Sequence, residues 1–172
     1  DDYYYGVYLA CAQAVRYLAS RPDVDAKRLA VAGASQGGLL SIVTAGLCPE
    51  VRAVVSSLCY YAGFPFRDHV AALNREKRDG MDGSAPPFDP KDPRQRHMGY
   101  YDAANFAPAI KAPTIMAASL CDTPSPVTTV WEVYRRLGAA KKEMQISPGT
   151  NHDLFFSFER AAWRWLDAAL GR

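Results

Sequence analysis

Apolar residues recur along this chain with two periods, one of three to four residues and one of short unbroken runs, and the two alternate. Tyr4, Tyr8, Cys11, Val15 and Leu18 follow three- and four-residue steps, the stripe of an amphipathic helix. Arg21-Pro22 closes it, because a residue before proline avoids helical geometry. Lys27 to Gly33 is short and apolar and runs into glycine, which predicts a buried parallel strand. A Leu-, Ile- and Ala-rich helix is expected over 36–46, and a β-branched strand over 51–58.

From 61 to about 104 the periodicity is lost in a stretch dense in Pro, Gly, Asp and Arg. A connection of that length without regular structure is uncommon unless it serves function. It is expected to be a polar insertion holding one short helix near 68–77, within a single domain spanning 1–172. Order resumes with a strand in "PTIMAASLC", which starts at Pro113. A helix over 127–137 follows, with Gly138 as its C-terminal cap. A strand over 142–146 precedes a last helix over 153–170, with Leu154, Phe158, Ala161 and Trp165 on one stripe. Strand and helix in alternation specify an α/β fold around a mostly parallel sheet with flanking helices.

Composition narrows the function classes. The 172 residues are 49% hydrophobic with a formal net charge of +2, an ordinary globular balance that argues for neither a nucleic-acid nor a membrane partner. The basic cluster of Arg75, Lys77 and Arg78 reads as solvated surface, and no apolar run is long enough to cross a bilayer. Cys11, Cys48, Cys59 and Cys121 share no CxxC spacing, so neither a zinc site nor a disulfide framework is expected. Each lies in an apolar stretch and is expected to pack as a small hydrophobe in a reducing, cytoplasmic setting. No cofactor or metal is expected.

The candidate chemistry sits where strands end. Gly33-Ala34-Ser35-Gln36-Gly37 matches G-x-S-x-G between a predicted strand and a predicted helix, the setting that throws a serine oxygen outward on a tight turn. Gly33 and Gly37 are expected to supply the small neighbours such a turn requires, and Gly38 to extend them. The N–H of Gln36, at the start of the helix, would face a developing oxyanion. A serine nucleophile needs a base oriented by an acid, and the order Ser, acid, His at successive strand ends is present. Asp122 follows the third strand in "LCDTPSP", and His152 follows the fourth in "SPGTNHDLF". Asp68 is the alternative acid. Asp153 is too near His152 to orient it and reads as a helix N-terminal carboxylate, while His69 and His97 in the insertion read as surface residues. Ser35 would attack an ester carbonyl, His152 would carry the proton, and Asp122 would hold the imidazolium.

The runs "YYYGVYLA", "RLAVAGASQGG", "YYDAANFAPAIKAPTIM", "CDTPSPVTTVWEVY" and "NHD" together resemble the acetyl xylan esterase / cephalosporin C deacetylase family of α/β-hydrolases. The resemblance implies Ser35, Asp122 and His152 as nucleophile, acid and base. It also implies removal of acetyl groups from small acetylated sugars such as xylo-oligosaccharides, and assembly as a homo-oligomer. Three departures stand out. Family members carry a long part upstream of "YYYGVY" with several strands and the second oxyanion donor. Their acid loop reads Asp-x-x-x-Pro-Pro where Ser125-Pro126 stand here, and their last motif reads His-Glu where His152-Asp153 stand here. The sheet is therefore expected to lack its N-terminal strands, the chain being the C-terminal part of a longer enzyme or, alternatively, a short protein that pairs its open edge with another copy. Two other functions fit the same residues: a serine peptidase of prolyl-oligopeptidase type, and a catalytically incompetent hydrolase-fold fragment serving as an assembly module.

Overall fold

The structure, a computed structural model, describes residues 3–63, 89, 91–153 and 155–171. Four strands, β1 (Ala30–Ala34), β2 (Ala53–Ser57), β3 (Thr114–Ser119) and β4 (Lys142–Ser147), lie side by side in sequence order. Every pairing is parallel, with Ala34 opposite Ser57, Ser57 opposite Ala117, and Ser119 opposite Ser147 at the carboxyl ends. The helices are α1 (Tyr3–Ser20), α2 (Gln36–Leu47), α3 (Pro93–Gly99), α4 (Ala103–Phe106), α5 (Val127–Arg136) and α6 (Phe156–Leu170).

Parallel neighbours need crossovers, and α2 and α5 make the first and third of them. Strand residues alternate between two layers. Val54, Met116 and Ala118 face a cluster with Leu39, Ile42 and Val43 of α2, Val130 and Val133 of α5, and Tyr8, Ala12 and Val15 of α1. Val55, Ile115 and Ala117 face the opposite side, where Phe158 and Ala162 of α6 cover them. β2 and β3 are buried along their whole length, as central parallel strands covered on both faces should be. No helix among the described residues is long and apolar enough to cross a membrane.

Several expectations are corrected. The first strand begins at Ala30, because Ala26–Arg28 form a 3₁₀ turn capped by the Asp25 side chain. Nor is it buried: among the described residues β1 has a partner on one side only, and Ala30 and Ala32 are exposed. Leu18 is exposed at the end of α1, whose inner face is Tyr8, Ala12 and Val15. Gly138 does not cap α5 in a left-handed conformation, which among glycines occurs at Gly63 and Gly171. It is small because the chain packs there, since a Cβ would lie 2.3 Å from the Pro108 carbonyl oxygen. The last helix starts at Phe156, so Asp153 is outside its first turn, where Glu159 is the acidic residue. Cys48 and Cys59 are buried as expected, whereas Cys121 is exposed in the loop after β3. The expected helix at 68–77 lies outside the described residues.

The end of the polar stretch belongs to the core. Ala103 and Ala104 are fully buried, and the buried Asp102 caps α4 by accepting the Ala104 N–H at 2.8 Å. The same Oδ1 accepts the Gly63 N–H at 2.9 Å, which ties the segment leaving β2 to α4.

Candidate active site

Ser35 stands between the last residue of β1 and the first of α2, with φ 55° and ψ −118°. A non-glycine residue in such a conformation stores about 1–3 kcal/mol and persists only when its surroundings over-determine it. Here they do. The Ser35 N–H donates to the Ser57 carbonyl at 2.9 Å, and the Ser35 carbonyl accepts from Leu39 N–H at 3.0 Å and Tyr60 N–H at 3.1 Å.

Crowding explains two of the three expected glycines, Gly33 and Gly38, and not Gly37. A Cβ on Gly33 would lie 2.3 Å from the Gly37 carbonyl oxygen, and one on Gly38 would lie 2.6 Å from the Ser57 carbonyl oxygen. A Cβ on Gly37 would meet nothing within 4 Å. Strand and helix thus touch at Gly33, and the helix meets β2 at Gly38, while Gly37 contributes its backbone.

The loops after β3 and β4 deliver Asp122 and His152. His152 Nε2 lies 2.8 Å from Ser35 Oγ, and Nδ1 lies 2.8 Å from Asp122 Oδ2. The other carboxylate oxygen accepts the Ser125 N–H at 2.7 Å. The Asp122 side chain is wholly buried, and that of His152 is 27% exposed. An ionised carboxylate only accepts, so its contact with Nδ1 places the imidazole proton there and leaves Nε2 to accept the Ser35 hydroxyl proton. The N–H groups of the first turn of α2 have no carbonyl partner within the helix, and Gln36 is its first residue.

The structure therefore brings Ser35, Asp122 and His152 together and leaves Asp153 and His97 elsewhere. Asp153 is exposed, and Asp68 and His69 lie outside the described residues. His97 is exposed on α3, its ring 5.5 Å from that of Tyr101 in an edge-on contact. Asp102 was not anticipated, although an Asp directly before "AANF" is a helix N-cap signal. Tyr61 packs on the core against Tyr4, ring centroids 4.9 Å apart.

A serine on a tight turn at a strand end, with an imidazole and a buried carboxylate delivered by the loops after β3 and β4 of a parallel sheet, is an arrangement found in hydrolases. A sequence profile described as acetyl xylan esterase (AXE1) matches residues 1–169. The chain belongs to the acetyl xylan esterase family. An acetyl esterase of Xylanibacter ruminicola, Axe7A, is 38% identical over 160 residues, which make up 88% of this chain and 34% of that protein. The crystal structure of acetyl xylan esterase 1 from Thermoanaerobacterium sp. JW/SL YS485 superposes with a TM-score of 0.77 at 29% identity, over 94% of this chain and 52% of that one. The acetyl xylan esterase from Paenibacillus sp. R4 superposes with a TM-score of 0.80 at 30% identity, over 96% of this chain and 53% of that one. The fold is that of these esterases, with four parallel strands and flanking helices. The chain spans about half the length of the solved esterases and a third of the curated relative. Membership of the acetyl xylan esterase family points to carboxylic ester hydrolysis.

Proposed function

We propose that this chain carries the reacting groups of a serine esterase that removes acetyl groups from small acetylated sugars, xylo-oligosaccharides among them. The observation that carries the reading is the unbroken run from Ser35 Oγ through the His152 ring to Asp122, two contacts of 2.8 Å on a strained elbow. The sugar substrates and a homo-oligomeric state rest on the family resemblance. A single domain over 1–172 is likewise our reading.

Ser35 Oγ attacks the acetyl carbonyl carbon as His152 Nε2 takes its proton. The imidazolium is held by the Asp122 carboxylate, and the oxyanion accepts the Gln36 N–H. Collapse of the tetrahedral intermediate breaks the bond to the sugar oxygen, which leaves with the proton from His152. Water, deprotonated by His152, then attacks acetyl-Ser35 and returns the serine with release of acetate. The buried acid matters because the imidazolium exists only along this path, and a preoriented charge stabilises it without reorganisation.

The test is covalent labelling with a fluorophosphonate probe, read by intact mass. One adduct is expected, abolished by Ser35→Ala, together with hydrolysis of p-nitrophenyl acetate but not of a chromogenic Xaa-Pro amide. A well-folded protein that takes no adduct would be the incompetent assembly module instead.

A further inference from the structure

The ladder between β3 and β4 ends at the pair Ser119 and Ser147. Beyond it the Leu120 N–H donates to the Ser147 carbonyl oxygen at 3.0 Å and Cys121 Sγ to that of Pro148 at 3.6 Å, and the two loops then run on, one to Asp122 and one to His152. Nearest those two residues the loops are joined by one hydroxyl. Ser119, fully buried, donates through Oγ to the Thr150 carbonyl oxygen. The same Oγ accepts from Thr150 Oγ1 at 3.0 Å and from the Cys121 N–H at 3.4 Å. A serine hydroxyl has one proton to give and two lone pairs to offer, and all three are used.

The partners are placed one and two residues from the candidate site. Cys121 immediately precedes Asp122, and Thr150 precedes His152 by two residues. We infer that Ser119 is a positioning residue, clasping the acid loop to the base loop so that His152 keeps its contact with Asp122 while facing Ser35. This inference rests on the esterase reading for its kinetic consequence, though not for its geometry. Thr150 is the second half of the clasp, because its hydroxyl and its carbonyl meet the same oxygen.

The test compares Ser119→Ala, which removes the shared oxygen, with Thr150→Val, which keeps shape and loses a donor, and Thr150→Ser, which keeps the donor. Circular dichroism establishes folding in each. Mispositioning of reacting groups by an ångström costs up to about 100-fold, so Ser119→Ala is expected to lower kcat for p-nitrophenyl acetate by about 10- to 100-fold with KM within about twofold. Thr150→Val should lose about 10-fold and Thr150→Ser should stay within about threefold of wild type. The far-downfield proton signal of His152 Nδ1–H should broaden by solvent exchange in Ser119→Ala and Thr150→Val and stay sharp in Thr150→Ser. Folded Ser119→Ala with wild-type kcat and a sharp signal overturns the inference, even if its Tm falls. So does a loss in Thr150→Ser equal to that in Thr150→Val. If the wild type takes no fluorophosphonate and hydrolyses nothing, the esterase reading fails, and the proton signal alone then decides for or against the clasp.

Discussion

Replacing Asp122 by Asn tests the acid's role with almost no change of shape, and the structure dictates how the amide must sit. One carboxylate oxygen accepts the Ser125 N–H at 2.7 Å, and the other meets His152 Nδ1 at 2.8 Å. The backbone N–H of Ser125 can only donate, so the amide oxygen of Asn must take that place. Turning the amide round would set its NH₂ against the buried N–H of Ser125, at a cost of about 1–3 kcal/mol for each donor left unsatisfied. The NH₂ group therefore faces Nδ1 and donates to it. Nδ1 becomes an acceptor, the imidazole proton moves to Nε2, and Nε2 can no longer take the proton from Ser35 Oγ at 2.8 Å. Such a forced tautomer lowers kcat by about 10⁴-fold, which is about 5.5 kcal/mol of transition-state stabilisation. Steady-state hydrolysis of p-nitrophenyl acetate should show that loss in kcat with KM little changed, and fluorophosphonate labelling of Ser35 should slow in parallel. A folded Asp122→Asn protein within tenfold of wild type would refute the assignment and return attention to Asp68.

Three further outcomes follow from packing and ionisation. Gly33→Ala and Gly38→Ala drive a Cβ to 2.3 and 2.6 Å from backbone oxygens, so each should lose about 1–3 kcal/mol, a Tm fall of several degrees in a thermal melt. Gly37→Ala has open space and should stay within about 1 kcal/mol of wild type in the same melt. Burial pushes the Cys59 thiol up from 9.0 to about 12, with the Asp102 charge adding to the rise. The neutral thiol is thus favoured by folding, a contribution complete below pH 9 and lost as pH rises toward 12. Urea unfolding at pH 8 and pH 11 should show the wild type losing about 3 kcal/mol more than Cys59→Ala, and equal losses would count against the burial argument. Comparison with that variant removes the parallel effects of Tyr8 and Cys48, whose burial raises them too. Finally, a thiol reagent at pH 8 should modify the exposed Cys121 at once, and Cys48 and Cys59 only after unfolding.

The order of elements could be read from the chain because β1, β2 and β3 are short apolar runs whose length distinguishes them from helices. The convergence of Ser35, Asp122 and His152 was legible for a related reason: strand ends on one side of a parallel sheet converge, so residues far apart in sequence can be assigned to one edge of it. What failed was information that sequence carries only through neighbours in space. An apolar run such as "KRLAVAG" reads alike in the middle of a sheet and at its side, and only the missing partner of β1 exposes Ala30 and Ala32. Gly138 looks like a cap at the end of a helical stretch, yet its smallness serves the Pro108 carbonyl, from a different part of the chain. Asp153 was assigned to a helix that starts three residues later, because "NHDLFF" continues the apolar spacing without continuing the helix. Ser119 and Thr150 had no local signature at all, since their contact spans 31 residues.

The strand order places the reacting groups on elements of unequal security. Ser35 follows β1, an outer strand held by five residue pairs, whereas Asp122 follows the central β3 and His152 follows β4, the other outer strand, held by six. Amide protons of outer strands exchange through local opening that costs less than global unfolding. Warming should therefore open β1, and with it the contact between Ser35 and His152, while the central strands remain intact. Heat inactivation would then precede the loss of circular dichroism, and deuterium uptake at Val31 to Gly33 would precede uptake at Ile115 to Ala117. In this chain the contact between Ser35 and His152 is expected to give way before the fold that carries it.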